Sequence, residues 1–224
     1  MAKIVKIAGY IIGAAALLLF GLMPSYARAG EGGVTLGSAL KFSAGIASGF
    51  LIHEGSHALV AQLTDTDMHW EIGTLNQPLA FTFKTDSDWK GFAINSAGFI
   101  SQAVGAEIIL QCDKIDKNDA FVRGMMTWNI LNPIFYSLDY WFIHSTNKRN
   151  GNGSQGDLEG IELRTNKATA DGFALSMSAI AVFQGYRFLK TQSWAPDWLK
   201  ENFHDVSLAP LPSGGFMVGY KFHF

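Results

Sequence analysis

The 224-residue chain contains a single cysteine, Cys112, which excludes an internal disulfide framework and any zinc cluster built from thiolates. Charge is scarce too. Asp, Glu, Lys and Arg make up 16% of the residues, against roughly 25% in an ordinary soluble domain. Neither sign prevails: the net charge of −2 lacks the basic excess of a nucleic-acid binder, and no nucleic-acid partner is expected. What is present points elsewhere. Hydrophobic residues reach 48%, glycine numbers 24, and the mean hydropathy is +0.14, the profile of a membrane protein with polar interruptions. An aromatic content of 13% argues against disorder. The length suits one domain.

Residues 1–29 read as a secretory signal peptide or, alternatively, an N-terminal anchor. Lys3 and Lys6 precede an apolar run, Pro24 breaks it, and Ala27-Arg28-Ala29 offers a small-x-small cleavage site. A glycine-rich connector follows. Four further apolar segments, 42–63, 91–110, 124–143 and 172–189, each approach the roughly 20 residues of a helical membrane span. Their small residues permit close helix contact. Between the first two spans, Met68, Trp70 and Ile72, then Leu79, Phe81 and Phe83, alternate with polar residues around Asn76-Gln77-Pro78, which predicts a β-hairpin. A second alternating stretch, Phe216 to Phe224, predicts another hairpin in a C-terminal tail, 191–224. The expected fold is mainly α: a polytopic bundle of about four spans after a signal peptide, occupying 30–190, with two short hairpins.

The strongest chemical signal is His53-Glu54-Gly55-Ser56-His57. Residues four apart share a helix face, so both imidazoles can hold one zinc while Glu54 stands beside it to take a proton from the attacking water. The motif interrupts an apolar span, where ionisable groups by default mark a functional site. A catalytic zinc needs a third protein ligand. Glu71 and Glu107 are conceivable. Asp139 is preferred, two turns after Asn132 and Pro133 in a span that the proline is expected to kink. Asp157, in Gly156-Asp157-Leu158-Glu159, is held in reserve, because its loop can fold back on the site. One zinc per chain is expected.

The run from Phe50 to Ala61, an apolar stretch, then His53-Glu54-Gly55-Ser56-His57, then Ala58-Leu59, resembles the first signature of the site-2 protease family of intramembrane zinc metalloproteases. Asn132-Pro133 leading to Leu138-Asp139 resembles the second, and Ala97-Gly98-Phe99-Ile100-Ser101-Gln102 is similar to the helix start that lies between the two in that family. Gln102 stands where the family usually has Asn, and Tyr140 follows Asp139 where it has Gly. The resemblance covers about 42–143. It implies a membrane-embedded zinc peptidase, with Asp139 as third ligand and Asn132 as a donor to the tetrahedral oxyanion. The lipid bilayer and a membrane protein or peptide substrate are the implied partners, and a bacterial-type inner membrane the implied location. Glu107 reads as an interhelical carboxylate, and Arg187 as a side chain reaching for the headgroups. A soluble exported peptidase of zincin type and a non-catalytic zinc-binding scaffold are the alternatives.

Overall fold

A computed structural model describes residues 35–74, 77–144, 156–201, 206–210 and 216–220. The leader expected at 1–29 lies outside the described residues. The chain is mainly helical, and each of the four apolar segments is a helix: α1 (Leu36–Leu63), α2 (Asp88–Gln111), α3 (Ala120–Asp139) and α5 (Lys167–Lys190). A π-helical turn, Tyr140–His144, extends α3, and two shorter helices follow, α4 (Asp157–Arg164) and α6 (Asp197–Glu201). Polar caps set the starts. Thr35 accepts from the Ser38 amide (3.1 Å), Asp119 from that of Phe121 (2.8 Å) and Asn166 from that of Thr169 (2.9 Å). Among the described residues, α2 is the one helix both long enough and apolar enough to cross a membrane by those measures alone.

The expected first hairpin is there. Strands β1 (Met68–Thr74) and β2 (Gln77–Phe83) pair antiparallel, with Met68 opposite Phe83 and Trp70 opposite Phe81. In the tail, β3 (Val206–Pro210) pairs antiparallel with β4 (Phe216–Tyr220).

Helix order follows from side-chain neighbours. Gly45 and Gly49 of α1 meet Phe121 and Trp128 of α3, so these two helices run parallel. His57 and His53 of α1 meet Ile94 and Gly98 of α2, so that pair runs antiparallel. The α1–α3 crossing is backbone against backbone. A Cβ on Gly45 would overlap the Phe121 carbonyl, and one on Gly124 would overlap that of Phe42. Only glycine permits this approach, which gives two apolar helices continuous van der Waals contact.

Two cores complete the packing. Ile109, Met126, Ile130, Ile134 and Phe188 join α2, α3 and α5. Phe99, Tyr140, Leu158, Ile161, Ala174 and Met177 clamp α4 against α2, the π-helical turn and α5. The second core determines where the start of α4 points.

Candidate metal centre

Both histidines of α1 face inward and are buried, His53 at 1% exposure and His57 at 0%. They meet a third group brought from the far side of the bundle. Leu158 and Ile161 anchor α4 in the second core, and its first residue, Asp157, is thereby turned inward at 5% exposure. Asp157 Oδ2 lies 3.2 Å from His53 Nε2 and 3.5 Å from His57 Nε2, and the two Nε2 atoms are 3.3 Å apart. His53, His57 and Asp157 form a buried group that can hold a metal ion.

The triangle fits the expected ion. Ligand atoms around a tetrahedral ion with bonds of about 2.0–2.1 Å stand about 3.3–3.4 Å apart. Protonation agrees as well. His57 Nδ1 sits 2.6 Å from the Ile94 carbonyl and so donates to it, which leaves the lone pair on Nε2 directed into the triangle. Three electron-pair donors converging in a buried space repel one another unless a cation or a proton lies between them.

The carboxylate that converges on the two histidines is that of Asp157, the reserve candidate, rather than that of Asp139, which the Asn132-Pro133 segment and the family resemblance favour. Asp139 is half-buried as the last residue of α3 and is not one of the three groups that converge. Asp157 is wholly buried, which alone favours its neutral form. Where a proton rather than a cation lies between the three groups, the charged imidazoles of His57 and His53 outweigh that cost and hold its carboxyl well below the usual carboxylate range.

Glu54 is buried beside the triangle, within electrostatic reach of His53, His57 and Asp157, but it is not one of the converging ligands. Asn132 is buried on α3 and donates through Nδ2 to Gln102 Oε1 at 3.2 Å. Glu107 accepts from Arg187 Nη1 at 2.7 and 2.8 Å, and also from Gln111 and Gln184. The structure thus uses Glu107 to tie α2 to α5. Arg187, expected at the headgroups, is spent on that bond.

Three neighbours carry no signal in a motif search. Gly98 lies directly on the His53 ring, and a Cβ there would overlap its atoms. Tyr136 sets its ring 5.9 Å from that of His53 and 5.4 Å from that of Phe99. Phe81 of β2 covers His57 at 4.7 Å, which brings the hairpin to the site. Gly98 falls inside the segment 97–102 read from the sequence, but only the packing shows what it does. Compared with protein-family models, with curated proteins and with solved structures, the chain gives no match.

Proposed function

We propose that the chain is a membrane-embedded zinc metallopeptidase that hydrolyses peptide bonds in or near the membrane-spanning segments of a client protein. The observation that carries the reading is the 3.2–3.5 Å triangle of two Nε2 atoms and one carboxylate oxygen, with a second buried carboxylate beside it that is not a ligand. His53, His57 and Asp157 would hold the ion, which would supply Lewis-acid activation of water and of the scissile carbonyl. Glu54 accepts the proton of the attacking water and passes it to the leaving amine. Asn132 retains one amide hydrogen beyond its bond to Gln102, enough for the oxyanion role that the site-2 protease resemblance implies.

The membrane reading rests on α1. Between Lys41 and Asp65 its ionisable residues are His53, Glu54 and His57, and all three face inward. Its outer face carries exposed Leu51, Ile52, Leu59 and Leu63. That uncharged surface runs for about 33 Å at 1.5 Å per residue, against a bilayer core of about 30 Å. The inward polar groups lower the average hydropathy of the helix without touching the face that lipid would meet. Exposed Ile100, Val104 and Ile108 continue the apolar surface on α2. The reading places the protein in a bacterial-type inner membrane. The hairpin lies beside His57, and among the described residues each of its two strands has one unpaired edge to which an extended peptide can add.

The test compares wild type with Glu54→Gln for zinc content and for cleavage of a membrane-spanning model substrate. Cleavage should fall by roughly 10²–10⁴-fold with zinc retained, the usual contribution of a general base. A variant that cleaves at the wild-type rate refutes the mechanism. Alkaline carbonate washing tests the location: release into the soluble fraction leaves the exported soluble peptidase standing instead.

A further inference from the structure

The two histidines are supported unequally. An imidazole that binds a metal through one nitrogen ordinarily donates its other N–H to a fixed acceptor, which sets the ring's tautomer and orientation. His57 has that acceptor in the Ile94 carbonyl. His53 Nδ1 is buried and meets no hydrogen-bonding atom among the described residues.

A second buried atom in the same condition stands nearby. Gln102 is 1% exposed, and its Nε2 also finds no partner among the described residues, although its Oε1 accepts from Asn132. Gln102 follows Gly98, the residue under the His53 ring, by one turn of α2. Asn132 precedes Tyr136, which packs on the same ring, by one turn of α3. The amide pair therefore occupies the layer adjoining His53 where α1, α2 and α3 meet. Each unpaired buried donor costs about 1–3 kcal/mol.

With the Nε2 lone pair on a metal, His53 would carry its proton on Nδ1, and both orphans would then be donors without an acceptor. Turning both amides by 180° keeps the bond between Gln102 and Asn132 but reverses it, so that Nε2 of Gln102 donates to Oδ1 of Asn132. Oε1 of Gln102 is then free, an acceptor one turn of α2 from Gly98 under the His53 ring, and a further shift of ring or amide closes the bond to Nδ1, which no atom of Gln102 reaches in this arrangement. We propose that Gln102 is the positioning residue of His53 in the metal-loaded protein, accepting that hydrogen while Asn132 holds its amide in place. The assignment rests on the metal-centre reading. It gives His53 the tautomer that puts a lone pair on Nε2, and it returns both amide hydrogens of Asn132 to the site.

The experiment measures zinc affinity of the full chain in detergent by competition with a chelator. Gln102→Leu should weaken zinc binding by roughly 10–100-fold, the usual cost of losing an outer partner of a ligand. Gln102→Glu, which keeps an acceptor at the same reach, should stay within a few-fold of wild type. Gln184→Leu removes a different buried amide, one bonded to the Ala103 carbonyl and Glu107 away from His53, and should leave zinc affinity unchanged. Should Gln102→Leu fail to fold, Gln102→Met carries the same expectation. Wild-type affinity in the Gln102→Leu protein overturns the proposal, as does an equal loss in Gln102→Leu and Gln184→Leu. A wild type that binds no zinc overturns the metal-centre reading itself, a different result from either.

Discussion

Asp139 closes α3 and Asp157 opens α4, and of the two it is Asp157 that converges on His53 and His57. Their surroundings differ in kind. A helix start presents unpaired N–H groups and a partial positive charge, whereas a helix end presents carbonyls and a partial negative one. A carboxylate at the start is favoured by its own backbone and can be buried once two imidazoles face it. The same group at the end of α3 has no such help from its backbone and stays half-exposed. Spacing within a motif says nothing about this polarity. Helix direction, and not only distance from the motif, selects the carboxylate that joins a buried group able to hold a metal ion.

The sharpest way to break the comparison is to neutralise each acid in turn. Asp157→Asn should abolish stoichiometric zinc in the purified protein, and Asp139→Asn should leave it intact, both read by elemental analysis. The reverse result would return the third position to α3. A comparable loss is expected from Gly98→Ala, because the added methyl occupies the place of the His53 ring. Zinc content together with circular dichroism checks it: helix content should hold while the metal is lost.

A smaller effect tests the strap between the two regions. The Tyr140 hydroxyl, just past Asp139, donates to Glu162 Oε2 of α4 at 2.6 Å. Tyr140→Phe should cost roughly 1.5–3 kcal/mol in chemical unfolding, the range for a hydrogen bond to a charged group, and should weaken zinc retention less than Asp157→Asn does. The smallest effect belongs to the start of α4, where Glu159 accepts from the Gly156 amide at 3.1 Å. Glu159→Ala should cost roughly 0.3–1.5 kcal/mol, read as a modest drop in the unfolding midpoint with zinc still bound.

The parts of the fold legible in the sequence are those with long or regular patterns. Four apolar segments mark four helices, and alternation around Asn76-Gln77-Pro78 marks a hairpin, because both periods persist long enough to stand out. His53, Glu54 and His57 are legible because the motif is local and one helix turn delivers its geometry. Helix α4 is not, since its 8 residues follow a polar stretch of sequence and give too short a period to detect. Its role depends on Leu158 and Ile161 finding a core built from three other elements. The carboxylate at its start ranks below Asp139 on sequence alone, because contact between sequence-distant segments has no periodic signature. The pairing of Arg187 is hidden for the same reason: its partner Glu107 lies on another helix, 80 residues away.

His53 and His57 are 4 residues apart, but Asp157 comes 104 residues after His53. At about 5–20 residues per second, a ribosome delivers that carboxylate about 5–20 seconds after the first histidine. Through that interval the growing chain carries two imidazoles and a glutamate with no third anchor. A candidate metal group split in this way acts as a timer, staying incomplete until α2 and α3 have been made and the bundle around it can close.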